Sequence, residues 1–148
     1  MKDKKVLITS ACRTAVGSFN KSLKNVPAFE MGSCVIKKSV EKSKLKNSDI
    51  DEVILGQVLT GGAGQNPARQ AAIKSGIPKE KTAYIVNQVC GSGIRSVASR
   101  FQSIISGDSK IVIAGGQESM SLSPHAIRLR DGKKLGDTKL IDMMIKDG

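Results

Sequence analysis

Tyr84-Ile-Val-Asn-Gln-Val-Cys-Gly-Ser-Gly-Ile-Arg-Ser-Val97 is the stretch on which the fold turns. A short apolar run delivers Cys90 into Gly91-Ser92-Gly93 and from there into an amphipathic segment. Apolar residues then fall at Ile94, Val97, Ala98, Phe101, Ile104 and Ile105, which is the spacing of one helix face, and Gly107 stands where helices commonly end. The pattern predicts a strand over 83–89, a helix over 93–106 and Cys90 at their junction. A helix N-terminus presents unpaired N–H groups and the positive end of its dipole, so it favours an anion. A thiol in that setting loses its proton more readily, and the thiolate is the nucleophilic form. The glycines that follow, Gly91 and Gly93, let another molecule approach the sulfur and the backbone. A second reading stands beside this one: Cys90 as a small buried residue that fills a helix–strand contact.

Outward from that stretch, strands and helices alternate. Val6-Leu-Ile-Thr-Ser10 reads as a first strand from Lys5, followed by a loop through Gly17 and Asn25. Pro27 suits a first helical turn, and Met31, Val35, Ile36 and Val40 continue with helical spacing to about Ser43. Asn47-Ser48-Asp49 reads as a single capped turn and Glu52 to Leu59 as a second strand. A short helix is expected from Pro67 to Ser75 with Gly76 after it, and a fourth strand from Lys110 to Gly115. Strands separated by helices predict a parallel α/β sheet covered on both faces. From Ser119 onward the chain turns polar and poorly periodic, and Lys139 to Ile145 regains short helical spacing.

Composition sets limits on function. The 148 residues suffice for one domain with a core, and 39% hydrophobic with 25% charged content reads as soluble and globular. Without an apolar run near the length needed to span a bilayer, no membrane partner is expected. Met1-Lys-Asp-Lys-Lys5 is too short and polar for a signal peptide. Three cysteines, Cys12, Cys34 and Cys90, are odd in number and widely spaced, which favours a reducing, cytoplasmic location over a disulfide framework. Net charge is +11, yet the basic residues are dispersed, and the run Lys37, Lys38, Lys42, Lys44 and Lys46 reads as a solvated helix end. One tyrosine, three phenylalanines and no tryptophan offer no platform for stacking bases, so no nucleic-acid partner is expected.

Other motifs are weaker. Gly91-x-Gly93 imitates a dinucleotide fingerprint, but Ser96 stands where its third glycine belongs. Gly61-Gly-Ala-Gly64 lacks the Gly-Lys-Ser/Thr of a phosphate loop. No ligand set has zinc spacing, so no metal is expected. Cys12 and Cys34 read as core residues, and Glu118 as a hydrogen-bonding structural carboxylate. Arg69 reads as an interface or loop-anchoring residue or as a solvated helix arginine. His125 is the only histidine, so a Cys–His pair within this chain would have to be Cys90–His125; its other reading is a surface or hinge residue.

Val89-Cys-Gly-Ser-Gly-Ile94 resembles the nucleophilic-cysteine motif of the thiolase family. Arg13-Thr-Ala-Val-Gly-Ser18, Gly64-Gln-Asn-Pro-Ala-Arg-Gln70 and Ala114-Gly-Gly-Gln-Glu-Ser-Met-Ser121 resemble further segments of that family in the expected order. The resemblance covers essentially the whole chain and is strongest toward the biosynthetic acetyl-CoA acetyltransferases. It implies an α/β fold, the N-terminal half of a layered αβαβα architecture with a mixed, mainly parallel sheet. Residues 1–118 would form the half-domain and 119–148 the start of an inserted loop domain. It implies Cys90 as the catalytic nucleophile, its backbone N–H as an oxyanion donor, acetyl-CoA and CoA as substrates, and no separate cofactor. The α-proton base of the family, a second cysteine, and its Asn/His pair belong to a C-terminal half, so this sequence reads as an N-terminal fragment with apolar sheet and helix faces left exposed. Homo-oligomerisation as a dimer of dimers is implied, with 83–89 and Gln65–Arg69 at a dimer contact and 128–137 joining dimers. The family usually has methionine where Gln117 stands. Alternatives are a ketoacyl synthase or hydroxymethylglutaryl-CoA synthase relative, or a non-catalytic self-associating chain.

Overall fold

The computed structural model describes residues 5–130 and 132–148; residues 1–4 and Asp131, which fall in the N-terminal reading and in the loop expected to join dimers, lie outside the described residues. A parallel three-stranded sheet organises the chain, with β1 (Glu52–Gly56) between β2 (Thr82–Val86) and β3 (Val112–Gly116). Ile54 of β1 stands opposite Tyr84 on one side and Ala114 on the other. Parallel neighbours need long crossovers, and helices supply them: α2 (Pro67–Lys74) between β1 and β2, and α3 (Ser92–Ser106) between β2 and β3. An earlier helix, α1 (Ala28–Lys42), packs on α2. Val53 and Leu55 join Ile36, Val40, Ala71 and Ile77 in a buried apolar cluster on that side. Side chains alternate along a strand, so Ile54, fully buried, points the other way, toward α3.

Local chemistry explains the boundaries. Asn66 takes a left-handed φ of 45°, and its side chain accepts from Arg69 N–H at 3.1 Å while donating to Ala83 O at 2.8 Å. Pro67 then occupies the first helical position, where its missing N–H costs nothing. Arg69 donates to the carbonyls of Lys79 and Lys81, so the loop-anchoring reading describes it. The five lysines of the basic run are all exposed.

The structure corrects several expectations. Residues 5–10 form no strand: Ser10 Oγ donates to Ser39 O at 3.0 Å and Lys42 Nζ to Ala11 O at 3.4 Å, so the segment runs along α1 with Leu7 and Ile8 exposed. β-branched composition favours extension, but a strand exists only where a ladder partner does. The ladder of β2 ends at Val86 rather than Val89, because the chain turns from Gln88 onward. The mainly parallel sheet is as expected: its three strands are parallel, and among the described residues the antiparallel pair is that of the two-residue strands β4 (His125–Ala126) and β5 (Ile141–Asp142). Of the helical spacing after Lys139, only α4 (Met143–Asp147) is helical. Cys34 is exposed on α1 rather than in the core.

α3 lies with Ser92, Ser96, Arg100 and Ser103 against the sheet. Ile94, Val97, Phe101 and Ile105 face outward, Ile94 with 73% of its surface exposed. An apolar stripe ordinarily marks the core-facing side of a helix. Here that side must be small, because the helix end sits almost on the strand: a Cβ added to Gly56 would lie 2.6 Å from Gly93 N and 2.7 Å from Ser92 Cβ. Ser96 Oγ reaches Gly115 O at 2.7 Å, tying helix to strand.

Candidate active site

The carboxyl ends of all three strands, Gly56, Val86 and Gly116, share one edge of the sheet, where open α/β folds place their ligands. Cys90 sits at this edge, exposed, on the wall of a cavity of about 600 Å³. Two of the other sequence blocks, Arg13–Ser18 and Gly116–Ser121, line the same cavity, whereas Gln65–Arg69 does not. Asn20 N–H donates to Ser121 Oγ at 2.9 Å and Ser119 Oγ to Val26 O at 3.0 Å, so the two walls are tied together.

Cys90 is delivered by a tight turn. Gly91 N–H donates to Gln88 O and Ser92 N–H to Val89 O, both at 3.0 Å. Val89 has a φ of +49°, a left-handed conformation that is an outlier for a β-branched residue and costs about 1–3 kcal/mol. The sequence gives no hint of this, since turns of that kind usually carry glycine or asparagine. Beneath the turn, Gly56 and Gly116 allow the N-terminus of α3 to rest on the strand ends; a Cβ on Gly116 would lie 3.5 Å from Gly93 Cα.

A buried polar floor lies alongside. Gln117 Nε2 donates to Gln57 Oε1 at 2.8 Å, and Gln57 Nε2 donates to Leu59 O at 2.9 Å. Glu118 accepts from Val58 N–H at 2.8 Å and from Leu59 N–H at 3.3 Å, the structural role its context suggests. Burial pushes the Glu118 carboxyl above its ordinary range, against the backbone hydrogen bonds from Val58, Leu59 and Ser119. Gln57 escaped the sequence reading, although a polar residue inside the apolar run Val53-Ile-Leu-Gly-Gln-Val-Leu59 was a signal for it.

Cys12, read as a core residue, is half-buried and lines the Cys90 cavity instead, because the segment that carries it is not a sheet strand. His125 does not line that cavity; its Nε2 lies 3.8 Å from Asp142 Oδ2 on the small β4–β5 pair. The structure therefore does not bring Cys90 and His125 together in one cavity. Among the described residues no cluster of three His, Cys, Asp or Glu could hold a metal ion, and no helix is long and apolar enough to cross a membrane.

With this arrangement in view, comparison with known proteins is informative. The family model "Thiolase, N-terminal domain" matches residues 6–148. The chain belongs to the thiolase family. It is 55% identical over 148 residues to an acetyl-CoA acetyltransferase of Rhizobium meliloti, covering all of this chain and 38% of that protein. A cytosolic acetyl-CoA acetyltransferase of Mus musculus is 48% identical over 143 residues, 97% of this chain and 36% of the mouse protein. The chain thus spans well under half the length of these relatives. Among solved structures, the Acat5 thiolase of Ascaris suum in complex with coenzyme A superposes with a TM-score of 0.85 at 38% identity, over 88% of this chain and 34% of that one. The α/β architecture is accordingly that of a thiolase N-terminal domain.

Proposed function

We propose that Cys90 is the nucleophile of a thiolase-type acyl transfer from acetyl-CoA. The observation that carries this reading is its position: a cysteine on a strained turn at the carboxyl edge of the sheet, facing a cavity walled by two of the other thiolase-like segments. Sγ attacks the thioester carbonyl carbon, the C–S bond to coenzyme A breaks, and the departing thiolate takes up a proton, leaving an acetyl-cysteine. The backbone N–H of Cys90 is the candidate donor to the oxyanion. A second acetyl-CoA then gives its α-proton to a base, its carbanion attacks the acetyl carbonyl carbon, and the C–Sγ bond breaks to release acetoacetyl-CoA and the Cys90 thiolate; the reverse is thiolysis. The relatives' acetyl-CoA acetyltransferase names and the coenzyme A held by the Ascaris thiolase support this substrate class. The chemistry requires no metal or organic cofactor.

The condensation step needs an α-proton base beside the acetylated sulfur. On this cavity Glu118 is committed to backbone N–H groups, His125 is elsewhere, and Cys12, the other thiol on the wall, has no hydrogen-bonded base among the described residues to take its proton. We therefore expect this chain by itself to acetylate at Cys90 but not to condense. The proposed organisation is a half-domain over 1–118 and the opening of a loop domain over 119–148, in a cytoplasmic homo-oligomer, with residues 83–89 and the 65–69 segment at a dimer contact. The cytosolic name of the mouse relative supports the location. The test is incubation of the 148-residue chain with acetyl-CoA followed by peptide mass mapping. Acetyl groups confined to Cys90 are expected, and equal or greater acetylation at Cys34 would sink the assignment. Robust acetoacetyl-CoA formation that is lost in both Cys90→Ala and His125→Ala would favour the Cys–His alternative.

A further inference from the structure

We infer that Ser92 is a positioning residue for Cys90 and acts by holding Val89 in its left-handed conformation. The inference rests on the nucleophile reading above for its functional meaning, but its geometry is independent of it. Ser92 is 4% exposed, and its hydroxyl is used twice: it accepts from Gln88 N–H at 2.8 Å and donates to Val89 O at 2.6 Å. The two bonds straddle the residue with φ +49°. Val89 N–H is held from the other side by Asn87 Oδ1 at 2.9 Å. Val89 itself is 54% exposed, so its side chain is not locked in a core that would hold the strained backbone. What keeps it there is the hydrogen-bond frame, and the only side-chain hydroxyl in that frame is that of Ser92.

The placement of Ser92 is itself constrained. Its Cβ lies where a Cβ on Gly56 would collide with it, so the serine is wedged between the end of β1 and the turn it braces. A bond that fixes two backbone groups flanking a strained residue sets the direction of the next Cα–Cβ vector, which is that of Cys90. Release of Val89 to an ordinary negative φ swings Cys90 away from the cavity. Small misplacements of a reacting atom carry large rate penalties.

The decisive experiment asks whether relief of the strain replaces the hydroxyl. Alkylation by iodoacetamide is followed by mass mapping and expressed as the Cys90 rate over the Cys34 rate in the same sample; both thiols are exposed in the folded chain, so the ratio reads the setting of Cys90 rather than access to it. Ser92→Ala should lower this ratio by about threefold or more. Val89→Asn/Ser92→Ala should return it to within about twofold of the parent, because asparagine adopts left-handed φ without the β-branched penalty. In acetylation by acetyl-CoA, Ser92→Ala should lower the maximal rate and leave the half-saturating concentration unchanged. Thermal melts of all variants identify any that fail to fold; Ser92→Gly, which also removes the hydroxyl and adds no thiol, then carries the first arm and should lower the ratio in the same direction. A ratio unchanged in Ser92→Ala overturns the positioning role. A fall that Val89→Asn does not restore overturns the route through Val89. A parent chain in which Cys90 is no faster than Cys34 overturns the nucleophile reading instead, so the two failures are told apart.

Discussion

On the side of the sheet covered by α1 and α2, Ile36, Val40, Val53, Leu55, Ala71 and Ile77 meet in a buried apolar cluster. On the side covered by α3 the contacts are made by Ser92, Ser96, Ser103 and Arg100, with Glu52 and Tyr84 as partners of the arginine. The first side is held by burial, which is tolerant of direction. The second is held by close approach and hydrogen bonds, which are not. The difference follows function: the helix that carries the candidate nucleophile at its N-terminus is fixed in register and distance, while its apolar stripe is turned outward. A layer specified in this way places Cys90 accurately and leaves the side chains of Ile94, Val97, Phe101 and Ile105 exposed.

The sharpest way to break this comparison is to truncate one large apolar residue on each side. Leu55→Ala, in the buried cluster, should destabilise the chain by about 3 kcal/mol through lost transfer energy and a cavity. Phe101→Ala, on the outer stripe, should cost under about 0.5 kcal/mol and should reduce self-association. Urea denaturation gives the first pair of numbers, and light scattering against concentration gives the second. Equal costs would mean that the outer stripe of α3 is packed, and the contrast between the faces would fail.

A second measurement sharpens the polar side. Arg100 is buried, pairs with Glu52, donates to Tyr84 Oη at 2.5 Å and stacks its guanidinium 5.3 Å from the tyrosine ring. Burial lowers the Arg100 pKa from its ordinary value, with the carboxylate of Asp108 opposing. Arg100→Met should cost about 3 kcal/mol because it strands the Glu52 carboxylate, whereas adding Glu52→Gln should recover about 1 kcal/mol or more of that loss. Strict additivity in the double-mutant cycle would show that the pair does not couple α3 to β1.

Much of this was legible in the sequence because the deciding signals are local. The 3.6-residue spacing after Cys90, Pro27 before α1, Pro67 at the start of α2 and glycine at helix ends each fixed an element to within a few residues. The candidate site was legible as separate blocks, and the fold brings all of them but Gln65–Arg69 to one cavity. What was not legible depends on partners distant in sequence. Val6-Leu-Ile-Thr-Ser10 has the composition of a strand, but composition cannot say whether a ladder partner stands beside it. Cys34 and the outer stripe of α3 were apolar by type, yet which face a helix turns inward depends on how closely the sheet admits it. The left-handed φ of Val89 is imposed by hydrogen bonds around it rather than by its own preference, so no single-residue rule finds it.

The smallest expected effect, and the most selective, concerns acid. Asp51 precedes β1, and its carboxylate accepts from Lys110 N–H at 2.7 Å and Ile111 N–H at 3.0 Å, the segment through which α3 returns to β3. These bonds, that from Ile111 foremost, hold its pKa below the usual carboxylate value, with the charges of Lys81 and Lys110 adding to them against a small burial cost. A carboxyl with a lowered folded-state pKa stabilises the fold fully above its unfolded value of about 4 and loses that contribution as pH falls through the folded-state value. Melting temperature should therefore be lower in Asp51→Asn than in the parent by a constant margin from about pH 7 to 5, and the margin should shrink below about pH 4. The deficit of Leu55→Ala, which involves no titrating group, should not vary with pH for this reason. A margin for Asp51→Asn that stays constant or widens in acid would show that the loop into β3 is held by something other than that carboxylate. The polar side of the sheet would then share the pH-indifference of the apolar side.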